Sequence, residues 1–299
     1  GIRLDQLQPA RLSGAPHERL FVQALLQFWE YFQRGLQAQG LQTFDGAFQQ
    51  LTERLTLDAS SISLEVLAPL SHLLIDEFQD ISPQIVLWLQ TVHRSLVDRG
   101  QAVSLMAIGD DWQSIYAWRG SSPELFIHFD RYFPGKGQAK RSEVLNLSNN
   151  YRSSEALIRD GEAVLTGVAC KQAKASHACK PTQPGDHGVK LIEQFDLNRQ
   201  LPELLQQIEA QCAHAAQRQS REVTAVLLLS RRNAPLQQIQ AQLNKQLPFK
   251  AYSIHRAKGL QAEVAIILDD CQPPESHPLR NALYACSGFF SNSYDQAMQ

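Results

Sequence analysis

Cysteine is scarce and unpatterned in this chain. Five residues (Cys170, Cys179, Cys212, Cys271 and Cys286) occur among 299, with no CxxC pair. An odd count at scattered positions argues against a disulfide framework and predicts reduced thiols in a cytoplasmic protein. Cys170, His177 and Cys179 lie near one another, but no second ligand pair completes a zinc-type set. Long apolar runs are missing too: none reaches the roughly 18 residues of a membrane span, and no signal-peptide anatomy is present. No membrane partner is expected. Neither sign of charge dominates, since 28 Lys and Arg face 30 Asp and Glu for a formal net charge of −2. A global positive field is thereby excluded, so any nucleic-acid surface must be a local groove.

What remains is an ordinary globular composition, 43% hydrophobic and 19% charged, which argues against disorder. The length suits one large or two ordinary domains with real cores. Residues 1 to about 15 read as a polar lead-in. Apolar residues then recur at helical spacing from His17 to Gln39, and a second helix is expected over Phe44–Leu55. Leu73-Leu74-Ile75 reads as the end of a buried parallel strand. Pro83 suits the first turn of the next helix, and Leu105 to Ile108 is the following strand. This strand–helix–strand order is a βαβ unit with a right-handed crossover. Val144–Leu147 is predicted to be a third strand, followed by a helix from about Ser154. Residues 168 to 188 read as a loop or linker. Val189–Ile192 is expected as a short strand, Leu201–Gln217 as a helix, Val223–Leu229 as a strand, Pro235–Leu243 as a helix and Val264–Leu268 as a strand.

Four stretches carry chemistry. In Ile75-Asp76-Glu77-Phe78-Gln79-Asp80, two carboxylates follow a strand's carboxyl end, where open α/β sheets bind ligands. Such a pair suits a magnesium nucleotide, one acid holding the ion and the other orienting water. It equally suits a solvated turn or the cap of the next helix. Gly109 to Gly120 begins at another strand end and holds Gln113, Trp112, Tyr116, Trp118 and Arg119. Gln113 can donate and accept hydrogen bonds beside a phosphate. The aromatics make a stacking platform for unpaired bases, or they are core. Asn149-Asn150-Tyr151-Arg152-Ser153-Ser154 precedes a helix start, a place that favours phosphate or simply a capped helix with a solvent-facing Arg152. Tyr252 to Gln261, with Ser253, His255, Arg256 and Lys258, is either a backbone-tracking cationic surface or a solvated basic turn.

Taken together and in this order, the four stretches resemble consecutive motifs of the superfamily 1 DNA helicases of the UvrD/Rep type, with the helicase IV branch nearest in pattern. Leu74 to Asp80 looks like motif II, Gly109 to Gly120 like motif III, Asn150 to Ser153 like motif IV and Ile254 to Gly259 like motif V. The resemblance implies two RecA-like parallel-sheet lobes, the first incomplete. A helical segment would cover 1–70, a partial first lobe 71–133, and a second lobe 134–299. It implies ATP and Mg2+ as cofactors, single-stranded DNA or tailed DNA as partner, a bacterial cytoplasmic setting and 3′ to 5′ movement. Asp76 would hold magnesium and Glu77 would activate water beside it. Gln113 and Arg152 would meet the γ-phosphate, and Tyr151 would stack on adenine. Tyr116, Trp118, Arg119, Ser253, His255 and Lys258 would face DNA. Gln261 stands where the family usually carries a ribose-contacting Glu.

Two family features are missing from the sequence. GxxxxGK[ST] occurs nowhere, and Gly135-Lys136-Gly137-Gln138-Ala139-Lys140 has the wrong spacing for it. The late arginine motif is also absent after Tyr294 to Gln299. The expectation is therefore an internal helicase fragment with little ATPase of its own. The alternative is a degenerate helicase-like protein that binds single-stranded DNA or a protein partner without hydrolysis. An incomplete first sheet also predicts self-association of the fragment.

Overall fold

In the computed structural model, residues 16–135, 141–168, 171–182, 186–217 and 222–268 are described. The chain divides into a first unit that runs to Val189 and a second that begins at Lys190. Both are mixed α/β with small parallel sheets.

The first unit opens with two helices, α1 (Pro16–Ala38) and α2 (Phe44–Leu57), close to the spans that apolar spacing predicts. Thr43 caps α2, its Oγ1 accepting the Gly46 N–H at 3.0 Å, as short hydroxyl side chains do at helix starts. After a single turn, α3 (Leu64–Leu67), the chain enters β1 (His72–Ile75). Helix α4 (Pro83–Asp98) follows, with Pro83 in its first turn and Ser82 as its cap. Strand β2 (Ser104–Ala107) then pairs parallel with β1, Ile75 opposite Ala107. The βαβ reading thus holds in order and direction.

Helix α4 is the unit's main buried element. Leu89, Val92 and Leu96 are almost wholly enclosed, each contributing about 1.5–3 kcal/mol by burial. Val92 and Leu96 pack with Leu55 of α2 and Leu67 of α3. Leu89 and Val86 pack with Phe78, Ile81 and Leu125, the last from α5 (Glu124–Ile127), which precedes α6 (Phe129–Tyr132). Only one face of the β1–β2 ribbon joins this core. Leu73, Ile75 and Ala107 pack inward, while Leu74 is 73% and Met106 50% exposed on the other face.

Further along, the third predicted strand is displaced. Val144, Leu145 and Leu147 are exposed and in no regular element. The strand is instead the two residues of β3 (Asn149–Asn150), before α7 (Glu155–Val164). Its partner is β4 (His177–Ala178), inside the stretch expected to be loop. Apolar content misled here because these residues join no core among the described residues, while the short polar strand is set by pairing.

In the second unit, α8 (Leu197–Gln217) is kinked at Gln200, next to Pro202, whose ring cannot sit in a regular helix interior. A parallel sheet follows in the order β6–β5–β7: β5 (Val226–Ser230), then α9 (Asn233–Gln240), β6 (Phe249–Ser253) and β7 (Val264–Leu268). Val226 and Leu228 of the central β5 are fully buried with Ile208 and Ile239, as expected for a parallel strand covered on both faces. Two readings need correction. Val189–Ile192 is not a strand; Leu191 and Ile192 are exposed. Strand β6 exists where none was expected, its Lys250 and Ser253 interrupting an apolar signal that pairing with β5 overrides.

Candidate functional site

Side chains at the carboxyl ends of β1 and β2 converge. The parallel ladder continues past both strands, since Ile108 N donates to the Ile75 carbonyl at 2.8 Å and Phe78 N to the Ile108 carbonyl at 2.9 Å. Phe78 is fully buried, with its ring 5.5 Å from Phe129 and 6.1 Å from Phe126. This aromatic anchor fixes the backbone on which Asp76 and Glu77 stand exposed. Glu77 adopts a left-handed conformation, φ 53° and ψ 40°, which non-glycine residues occupy at a cost. Its N–H turns onto the Asp76 carboxylate at 2.8 Å. Neither acid caps α4; Ser82 does, so the helix-cap reading of the pair falls.

Gln79 joins the two loops. It is fully buried; its Nε2 donates to the Glu77 carboxylate, and its Oε1 accepts the Asp110 N–H at 3.0 Å. The carboxamide fits only because residue 109 is glycine: a Cβ there would meet Gln79 Oε1 at 2.4 Å. Glu77 and Asp110 are thereby held through one side chain.

Asp110 in turn organises the second loop. Its Oδ1 accepts the Trp112 N–H at 3.1 Å, and its Oδ2 accepts Gln113 Nε2 at 2.7 Å. Gln113 itself is exposed. Lys174 donates to both Asp110 and Asp111. The Asp111 side chain is 1% exposed, and its other oxygen takes the Gln172 N–H at 2.8 Å. Burial pushes the Asp110 carboxyl up, but hydrogen bonds from Lys174 and Gln113 outweigh it and hold the group below its ordinary value.

The aromatics divide. Trp112 is half-buried; its Nε1 donates to the Gln172 carbonyl at 3.3 Å, and Lys174 Nζ lies 4.9 Å from its ring centroid. Tyr116 is half-buried with the exposed Arg119 over its ring at 5.5 Å, a cation–aromatic pair. The Trp118 side chain lies outside the described residues. In the next loop, Tyr151 and Arg152 are exposed. Asn150 Oδ1 accepts the N–H groups of Arg152 at 3.0 Å and Ser153 at 2.9 Å, so an Asx turn sets this corner. Ser154 stands at the N-cap of α7, its side chain making no cap bond.

In the second unit, Ser253 ends β6, and His255 lies in the short 3₁₀ turn Ile254–Ala257. Arg256 lies 5.4 Å from the Tyr252 ring centroid. Lys258 is half-buried, while His255 and Gln261 are exposed. Ser253 stands at the carboxyl end of its own sheet, as Asp76 and Glu77 do at theirs, whereas Gln261 precedes β7 and lies toward the amino end of that sheet.

Carboxylate oxygens are the hard donors that magnesium takes. Among the described residues no group of three His, Cys, Asp or Glu could hold a metal ion, so Asp76 and Glu77 fit magnesium only as partial ligands completed by phosphate oxygens and water. The Cys170–His177–Cys179 idea has one member, Cys170, outside the described residues. No described helix is long and apolar enough to cross a membrane. Sequence reasoning missed Gln79 as the bridge and Lys174 altogether. The first lay inside a quoted motif; the second had no local signal, because its partners are distant in sequence.

The profile of the UvrD/REP helicase N-terminal domain matches residues 2–134. Over 207 residues the chain is 29% identical to DNA helicase IV of Escherichia coli (strain K12), covering 68% of this chain and 26% of that protein. It is 26% identical over 182 residues to the putative ATP-dependent DNA helicase YjcD of Bacillus subtilis (strain 168), covering 59% and 22%. It is 33% identical over 95 residues to DNA helicase II of Escherichia coli (strain K12), covering 32% and 12%. The chain thus spans about a quarter or less of the length of these relatives.

Proposed function

We propose, from the match of residues 2–134 to the UvrD/REP helicase N-terminal domain, that the chain is part of an ATP-dependent DNA helicase moving 3′ to 5′ on single-stranded DNA. The observation that carries the reading is the Gln79 carboxamide, which ties the Glu77 carboxylate to the loop that bears Gln113. A triphosphate sensor and a water-activating carboxylate need such a fixed relation.

In this reading the parent protein has two RecA-like lobes. Residues 1–70 form a helical segment, 71–133 part of the first lobe and 134–299 part of the second. Asp76 would hold Mg2+, which would supply positive charge against the phosphates of ATP. Glu77 orients and deprotonates water. Gln113 and Arg152 read the terminal phosphate, Tyr151 stacks on the base, and Gln261 faces the ribose. Tyr116, Trp118 and Arg119 contact unpaired bases, and Ser253, His255 and Lys258 track the DNA backbone. The carboxylates suit the ion, but GxxxxGK[ST] is not in the sequence, so these residues do not themselves supply the usual backbone cradle for a triphosphate.

That missing cradle favours one second reading, a non-hydrolysing helicase-like protein that binds single-stranded DNA or a protein partner. Two measurements separate the outcomes. Fluorescence anisotropy with a labelled oligo-dT strand tests DNA binding; no binding at low salt sinks the DNA reading. Steady-state phosphate release with Mg-ATP should be near background for this chain. Robust turnover abolished by Glu77→Gln would refute that inactivity and restore the chain as an ATPase in its own right.

A further inference from the structure

We propose that Lys174 is a positioning residue for Gln113, acting through Asp110, and that the segment carrying it ties the Gln113 loop to the strand before Arg152. The proposal rests on the reading of Gln113 as a functional group.

The geometry is specific to each oxygen. Asp111 anchors the lysine: its nearly inaccessible carboxylate takes Lys174 Nζ on Oδ1 and the Gln172 N–H on Oδ2. Burying a carboxylate is costly without partners, and these two satisfy its oxygens. Asp110 is the acting group. Lys174 and the Trp112 N–H both bind its Oδ1, which fixes the rotation of the carboxylate and leaves Oδ2 aimed at Gln113 Nε2. Without Lys174 one Oδ1 contact remains, and the carboxylate can turn.

The lysine is held from its other side as well. Gln172 also accepts the Trp112 indole N–H, so residues 172 to 174 seat on Asp110, Asp111 and Trp112 together. Three residues beyond Lys174, β4 begins and pairs with Asn149 and Asn150 of β3. Asn150 sets the turn that carries Arg152. One short strap therefore contacts the Gln113 loop at one end and the Arg152 corner at the other. Lys171, in the same strap, bonds the Leu165 and Val168 carbonyls instead and serves as an internal control.

The test reads Gln113 directly, by side-chain amide NMR on the full chain. The Gln113 Nε2 protons should be resolved from random-coil values and slow to exchange with water. Lys174→Met keeps an unbranched side chain of similar length and removes the charge; exchange should speed up roughly tenfold, the loss of a hydrogen bond held by a charged partner. Lys174→Arg should restore most of the protection, and Lys171→Ala should leave it unchanged. Unchanged Gln113 protection in folded Lys174→Met, or equal loss in Lys171→Ala, overturns the proposal. If Lys174→Met does not fold, Lys174→Arg decides alone: random-coil Gln113 signals in that variant overturn it. Failure of the DNA reading shows separately, as an oligo-dT strand that the wild-type chain does not bind, whatever the Gln113 signals do.

Discussion

The Gln79 side-chain oxygen accepts the Asp110 backbone N–H at 3.0 Å, directly over the space where a side chain on residue 109 would lie. One buried amide thus links two loops that are thirty-one residues apart. Gly109→Ala should push Gln79 out of this seat and destabilise the first unit by about 1–3 kcal/mol, the usual range for overpacking. Gln79→Ala should cost a similar amount, about 1–3 kcal/mol, by leaving the Asp110 N–H without its acceptor. Urea unfolding followed by Trp fluorescence measures both. A double variant that loses no more than either single variant would show that the two act on one contact.

Stability should depend on pH through Asp110. Its carboxyl is held below the ordinary value of 3.8, against burial, by Lys174 and Gln113. The unfolded chain therefore takes up a proton at higher pH than the folded one. The resulting stabilisation is complete above the unfolded value and is lost as pH falls through the folded one. In Lys174→Met the folded value rises toward the unfolded one, so the acid-side loss should be complete at a higher pH and smaller in total, as measured by thermal unfolding from pH 5 downward.

Binding of single strands should depend on the second loop. Trp118→Ala should weaken oligo-dT affinity by about 1–3 kcal/mol per stacked base, with circular dichroism unchanged. Equal affinity in a folded variant would place the ring in packing rather than on DNA.

Self-association should map to the bare face of the β1–β2 ribbon. Parallel sheets are normally covered on both faces, yet Leu74 and Met106 are half or more exposed. Leu74→Lys with Met106→Lys should shift the chain toward monomer in sedimentation velocity at high concentration. A chain already monomeric at that concentration would rule out this face as an association surface.

Much of this was legible in the residues themselves. Periodicity located α1, α2 and α4, and the apolar runs ending at Ile75 and Leu268 located β1 and β7; side chains of α2, α4, β1 and β7 meet a core, while Leu20, Phe21 and Phe28 of α1 are exposed. Val144 to Leu147 and Val189 to Ile192 look like strands by the same criterion but meet no core among the described residues. The paired acids and Gln113 stood out by position after strands. Gln79 and Lys174 did not, since a buried amide and a loop lysine acquire meaning only from partners far away in the chain.

Glu77 leaves one more consequence. Its backbone sits where glycine would rest without strain, so the turn alone does not call for glutamate. A library at this position screened only for thermal resistance should enrich glycine and asparagine. One screened for the activity of the complete helicase should return glutamate despite its poorer backbone. The gap between those two winners would report how far this position trades robustness for chemistry.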